Sequence, residues 1–346
     1  MRRQFINVVL GCHKTRSFVL HRIRSSSLFH LRKRTAGTSP PPPPTQVEEA
    51  ALPKPALSFG FLRKECVPGG TSMFMPFGRS GDGILGVGPS VDVLAYDARL
   101  NNVRVMPRLQ GCMADPIAFN VGDALYLLER RPSRSGRTNQ PSFQVLKHGD
   151  PPEDVYVFPR WHWRSLRPPP YVNAATIGAS ALVGDDIWVS AEGVGTYAFD
   201  TAKHRWSKAG GWELPFCGGA EYSPELGLWF GLSSLHKKKL FCAADLSAAA
   251  GASGAPELCR VWRKELAANP EDWELLDTLL VHVGNGRFCV ARFYHVYADE
   301  ESPIATEKFA VFTGVEVQRL KAGGRIKIVG HKSIRYEIDA YIHWVF

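Results

Sequence analysis

The sequence is short of the features that announce a chemistry. It has no Walker A loop, no GxSxG elbow, no HExxH helix and no CxxC pair. The phosphate-cradling, acyl-transfer, zincin and zinc-ribbon signatures are therefore missing together. Its seven cysteines (Cys12, Cys66, Cys112, Cys217, Cys242, Cys259 and Cys289) are odd in number and irregularly spaced, unlike a secreted disulfide framework. Reduced, mostly buried thiols are expected. No N-x-Ser/Thr acceptor and no run of 18 apolar residues occurs, and the N-terminus lacks an uninterrupted apolar segment. Secretion and membrane spanning are both disfavoured, so a cytoplasmic or nuclear monomer with no membrane partner is expected. The letters GDGILG (Gly81 to Gly86) satisfy GxGxxG, but a Pro-interrupted β-type run follows where a dinucleotide site needs a helix N-terminus. That stretch is read as a turn and a strand, and no cofactor is expected.

Acidic residues are absent from one region only. Residues 1 to 34 carry nine Lys or Arg and no carboxylate, the first being Glu48, which leaves 33 basic against 33 acidic side chains in the rest. The formal net charge of +9 thus describes a leader and not a surface. An Arg-rich, Ser-containing, acid-free start has the composition of an organellar transit peptide. The same residues include FINVVL (Phe5 to Leu10) and SFVLHRI (Ser17 to Ile23), two β-rich apolar runs that read equally well as a pair of strands. From 35 to 57 five consecutive prolines (Pro40 to Pro44) and no aromatic mark a solvated, disordered linker or loop.

Abundant instead are Gly (32), Pro (25) and aromatic residues, with 45% hydrophobic side chains, enough for a large core cut by many tight turns. Between 83 and 318 one pattern recurs about five times: a Gly-centred turn, an alternating apolar strand, a second strand often ending in Asp, and an aromatic or β-branched close. The clearest copy is VGDDIWVS (Val183 to Ser190), TYAFDT (Thr196 to Thr201) and Trp206. Units of this kind bury a core only by stacking on their neighbours. The pattern predicts a single all-β propeller over 58 to 346, of about six four-stranded blades with five to seven admitted. Asn285-Gly286 is read as a type I′ hairpin turn, and Gly184-Asp185-Asp186 as a hairpin turn between two strands. The last β-type runs, Arg325 to Ile338, are expected to meet the N-terminal strands (1 to 34), so that the termini share a blade and close the ring.

Three stretches carry a family resemblance: the start MRRQFINVV, Phe199 to Ser233 (FDTAKHRWSKAGGWELPFCGGAEYSPELGLWFGLS) and Leu279 to Phe293 (LLVHVGNGRFCVARF). Together they closely resemble a plant family, expanded in grasses, that carries a domain of unknown function numbered 1668. The resemblance covers nearly the whole chain apart from the proline tract. It implies a kelch-like propeller in which the basic start belongs to the domain, and it supplies no activity. The kelch pattern itself is met loosely. Gly218-Gly219 is followed by Tyr222 and Trp229, and the other copies lack the doublet.

A non-enzymatic protein-interaction module is the expected function, because binding residues concentrate on loops held by a rigid scaffold. The candidate loops are the basic hairpin with Arg130, Arg131, Arg134 and Arg137, the neighbourhood of His162 between Trp161 and Trp163, and the tip Lys237, Lys238 and Lys239. The partner is expected to be an unidentified protein. A propeller enzyme acting on a small molecule in the central channel is the alternative. The segments ILGV, ALYLL, IWVS and LWFGL, taken as inner strands, are apolar and weigh against it. Weak nucleic-acid binding through the basic leader is a second alternative, without a recognition motif to support it.

Overall fold

The computed structural model of the chain describes residues 3–12, 17–30, 47–61, 72–78, 81–132, 141–150, 160–171, 175–234, 239–247, 249, 254–262, 273–298, 305–320, 326–340 and 342–346. The chain opens with β1 (Phe5–Cys12), β2 (Ser17–Arg24), a 3₁₀ turn (Ser25–Leu28), β3 (Val47–Ala50) and β4 (Leu57–Phe59). Five units of four strands follow. Blade 1 is β5 (Met73–Phe77), β6 (Gly83–Val87), β7 (Val93–Asp97) and β8 (Asn102–Met106), and blade 2 is β9 (Pro116–Val121), β10 (Ala124–Glu129), β11 (Phe143–Gly149) and β12 (Arg160–Ser165). Blade 3 is β13 (Ile177–Val183), β14 (Asp186–Ala191), β15 (Gly195–Asp200) and β16 (Arg205–Gly210). Blade 4 is β17 (Gly218–Ser223), β18 (Leu228–Leu232), β19 (Phe241–Ala244) and β20 (Leu258–Val261). Blade 5 is β21 (Glu274–Gly284), β22 (Arg287–Tyr297), β23 (Ala305–Arg319) and β24 (Ile326–Glu337), and β25 (His343–Val345) ends the chain. Each blade is an antiparallel meander, and blade 6 is assembled from both ends of the chain in the order β25-β1-β2-β4. The protein is a six-bladed β-propeller.

The closed ring follows from where the side chains go. Successive residues of a strand point to opposite faces of a blade, and here each face meets a different neighbour. In β10, Leu125 and Leu127 enter a cluster with Met73, Leu85 and Val87 of blade 1, whereas Tyr126 and Leu128 join Ile187, Val189 and Phe199 of blade 3. In β18, Trp229 turns to blade 3 and Phe230 to Phe288 and Val315 of blade 5. In β1, Ile6 and Val8 pack on blade 5 while Val9 packs with Phe74 and Ile84 of blade 1. Six seams therefore hold six apolar clusters, and no blade has a second face to leave in water. Tryptophan N–H groups sew three junctions: Trp163 Nε1 donates to Pro107 O (2.9 Å), Trp206 Nε1 to Arg167 O (2.8 Å) and Trp229 Nε1 to Leu182 O (2.6 Å).

Three sequence expectations are corrected. ILGV, ALYLL, IWVS and LWFGL are the second strands of their blades (β6, β10, β14 and β18), not the innermost. They are apolar on both faces because each is sandwiched between two neighbouring blades. The innermost positions belong to the first strands, β5, β9, β13, β17, β21 and β25, of which β5 meets β9, and β17 meets both β13 and β21. Second, Arg325 to Ile338 does not close the ring. Its described part is one continuous strand, β24, paired along blade 5 to β23 with one irregularity between Thr313 and Val315. Closure falls to β25, where Leu10, Val9 and Val8 face His343, Trp344 and Val345, and Asn7 and Phe346 exchange backbone bonds of 2.8 and 3.0 Å. Third, the expected linker from 35 to 57 is not structureless throughout. The proline run lies outside the described residues, but Val47–Ala50 adds to β24 as a parallel fifth strand, and Leu57 begins the outer strand of blade 6.

Candidate functional site

The first hairpin of each of blades 1 to 5 turns on a residue in the left-handed region that favours glycine: Gly78 and Gly81, Gly122, Gly184, Gly227, and the pair Asn285 and Gly286. These turns gather at one end of the ring around a cavity of about 630 Å³. Every blade supplies part of its wall. Blade 1 gives Pro76, Gly78 and Gly81, blade 2 Asn120 and Gly122, blade 3 Asp185, blade 4 Glu221, Tyr222 and Pro224, blade 5 His282, and Arg3 arrives just ahead of β1 in blade 6. The innermost strands thus bring polar groups to the mouth of the channel.

Arg3 is fixed by its backbone. Its N–H donates to Val283 O (2.8 Å) and its carbonyl accepts from Ser25 Oγ (2.8 Å), while its guanidinium lies against Gly81, where an added Cβ would come 3.2 Å from Nε. A cation is so held between the closing blade and blade 1. Asn120 is structural, accepting from Gly78 N (3.1 Å) and donating to Pro76 O (3.0 Å) across the seam of blades 1 and 2. Glu225, at the next turn, accepts from Asn285 N (2.9 Å) and Ser223 Oγ (2.8 Å). Burial works against its charge, but these hydrogen bonds and nearby His282 outweigh that and leave its carboxyl below its ordinary value.

His282 is half-buried on β21, stacked at 4.7 Å on Phe288, and its Nε2 is enclosed without a hydrogen-bond partner. Burial lowers its pKa against the pull of Glu221 and Glu225, with Arg3 adding to the lowering. The imidazole is neutral at pH 7, with a ring nitrogen still to satisfy. Tyr222 is 43% exposed, its ring 4.6 Å from that of Trp229. A cation, two carboxylates, a neutral imidazole and an aromatic face are thereby held at the mouth, mostly on the ends of the innermost strands. Among the described residues no three His, Cys, Asp or Glu come together in a way that would hold a metal ion.

The residues singled out from the sequence lie elsewhere. β10 leads away from the mouth, so Arg130 and Arg131 sit at the opposite face, where Arg130 pairs with Asp115 (2.7 Å) and donates to Ile177 O (3.3 Å), and Arg131 bonds Thr176 Oγ1 (3.1 Å). Lys239 follows β18 to that same face and pairs with Asp277 of blade 5 (3.3 Å). These three cations join neighbouring blades. Arg134, Arg137, Lys237 and Lys238 lie outside the described residues. His162 is buried on β12, the outer strand of blade 2, with Nδ1 3.1 Å from Arg160 O and Nε2 enclosed without a partner. What the sequence reading missed are Arg3, Glu221, Tyr222 and His282. A signal was present: Pro76, Asn120 and His282 each stand two residues before a turn glycine (Gly78, Gly122 and Gly284), and all three line the mouth.

No helix among the described residues is long and apolar enough to cross a membrane. A search of curated proteins returned no match. Among solved structures, the chain is similar to an auxiliary nutrient binding protein from Bacteroides thetaiotaomicron, with 10% identity, a TM-score of 0.36, and 75% of this chain and 57% of that one covered. It is similar also to a chain of an S. cerevisiae structure described as dbp5 bound to nup159, gle1, ip6 and adp, with 9% identity, a TM-score of 0.36, and 76% and 59% covered. The chain spans less than two thirds of the length of either. One protein family does match, over residues 3–336, which reaches every blade and stops short of the closing strand β25: the chain belongs to the family described as Protein of unknown function (DUF1668).

Proposed function

We propose that this protein is a non-enzymatic, kelch-like interaction module that holds a protein partner at the mouth of the ring. The observation that carries this reading is the mouth itself, a cavity to which all six blades contribute and which offers both signs of charge beside a partly exposed Tyr222. Side chains on strand ends and turns of a packed scaffold are preorganised and lose little freedom on binding. The Gly218-Gly219 doublet with the Tyr222 ring tilted against Trp229 supports the kelch-like character of blade 4. The test is affinity capture from the native tissue with wild type, Glu221→Lys and Tyr222→Ala, beside Arg131→Ala on the opposite face. A discrete protein retained at high salt by wild type and Arg131→Ala, and lost from both mouth variants, is the expected result. Retention by all four proteins overturns the reading.

A second reading, small-molecule chemistry in the channel, is favoured by one observation, the neutral His282 with its unsatisfied Nε2 in the same cavity as Glu221 and Asp185. It predicts that a metabolite library stabilises the wild-type protein against heat and leaves His282→Ala unaffected.

A further inference from the structure

The outer strands of the blades are sheet edges, which natural proteins blunt with charge or cover. Here β12 exposes Arg160 and Arg164, β16 exposes Arg205 and Lys208, and the edge of blade 5 is covered by β3. Blade 1 is different. The first four residues of β8 are exposed, with Val105 at 84% and Val103 at 45%, and Leu100 in the preceding turn stands at 64%. β8 ends its sheet, and beyond β7 its backbone has no strand partner among the described residues.

The molecule itself shows how such an edge is filled. At blade 5 the segment Val47–Ala50 lies along Ser333 to Tyr336, with Glu48 on Lys332 (3.0 Å) and Glu49 on Arg335 (3.5 Å). Lys332 and Arg335 are three residues apart on one strand and so project from opposite faces, gripping two successive acids from both sides.

We propose that β8 is a strand-addition site for an extended segment of another protein in which apolar and acidic residues alternate. Val103 and Val105 share one face of β8, and Arg104 projects from the other, with no ion pair among the described residues. With Arg99 it lines a hollow of about 410 Å³ that reaches Trp161 of blade 2. A strand added here sets its apolar side chains beside the two valines and its carboxylates beside Arg104, while its backbone satisfies the open edge. A second copy of this chain is the poorer occupant. Two-fold antiparallel pairing of β8 about its centre brings Arg104 opposite Arg104, and like charges facing each other across a strand pair are destabilising. This site is separate from the mouth of the ring and does not depend on it.

The experiment uses the full chain and two capped heptapeptides, one alternating Val and Glu and one alternating Val and Lys. Binding is followed by fluorescence anisotropy, hydrogen exchange and sedimentation. The Glu peptide is expected to bind more tightly and to slow exchange at the amides of residues 102 to 106. Arg104→Glu, an exposed substitution, is expected to weaken the Glu peptide about fivefold and to strengthen the Lys peptide. Equal binding of the two peptides, or slowed exchange at 333 to 336 in place of 102 to 106, overturns the proposal. So does an unliganded dimer that Val105→Asp dissolves, which would give the edge to a second copy.

Discussion

At the scale of single residues, the most concentrated polar group in the interior is not at the mouth but in blade 5. Glu316 is 8% exposed and meets Arg287 Nε at 3.2 Å and His331 Nε2 at 3.3 Å, and it accepts from Gln318 Nε2 at 2.9 Å. His331 Nδ1 accepts from His30 N (3.3 Å), so the proton of the neutral ring is on the nitrogen that faces Glu316. Burial lowers the His331 pKa from its ordinary 6.5 in spite of Glu316, and His30 and Arg287 lower it further. The sign follows from linkage: the unfolded chain takes up the proton at 6.5 and the folded chain only at lower pH. This contribution to stability is therefore complete above 6.5 and is lost as the pH falls through 6.5 toward the folded value. Lowered values at His282 and His295 act in the same direction. Urea midpoints measured at pH 7.5 and 5.5 are expected to fall on acidification in the wild type. They are expected to fall less in His331→Gln, whose amide keeps an acceptor for His30 and a donor for Glu316 without titrating. An unchanged pH difference in that variant would remove His331 from the account.

At the scale of elements, the 3₁₀ turn Ser25–Leu28 shows how tightly the N-terminal segment is seated. It lies over Gly314, at the irregularity between β23 and β24, where an added Cβ would come 2.3 Å from Leu28 O. Gly314→Ala is expected to cost about 1–3 kcal/mol by forcing backbone against backbone. Urea unfolding measures this, and a cost near zero would mean that the turn yields freely. Much at this scale was legible in the residues. The strands that end in Asp did so for a local reason, since Asp97 Oδ1 accepts from Arg99 N and Leu100 N, and Asp200 Oδ1 from Ala202 N and Lys203 N, closing the turn into the outer strand. Asn285 and Gly286 have φ of 57° and 66°, as the type I′ reading requires. Strand order within a blade was not legible. Apolar runs mark strands buried on both faces, and those are second strands, whereas the channel-lining strands are mixed in polarity and look like loops or edges. The mouth was missed for the same reason: Glu221 and His282 lie on mixed strands, and Arg3 reaches it only through ring closure, a contact with no local trace in the sequence.

At the scale of the whole molecule, the ring is locked by three residues of β25 laid against β1, with Trp344 edge-on to Phe18 (5.7 Å) and Phe74 (5.0 Å) and Phe346 buried in the seam of blades 6 and 1. Deleting His343 to Phe346 removes the innermost strand of blade 6 and exposes an apolar edge. The truncated protein is expected to melt at lower temperature and to aggregate on heating, with early proteolysis in blade 6. A truncated chain as stable and soluble as the full one would mean that the ring does not need its clasp.

The six junctions are not mechanically equal. Blades 3 and 4 form one sheet of eight strands, because β13 and β17 pair in parallel through Ala179 and Gly218, Ser180 and Gly219, and Ala181 and Ala220. This is the only junction in the described ring where two blades are welded by a strand ladder, while side-chain packing and single bonds hold the others. Any widening or narrowing of the mouth has to be taken up by the compliant junctions, so the ring flexes as a stiff double blade opposed by four softer ones. Asp185, Glu221 and Tyr222 all belong to the stiff pair, while Arg3 and His282 lie beyond it. A protein held at the mouth, as proposed above, meets one fixed jaw and one that gives.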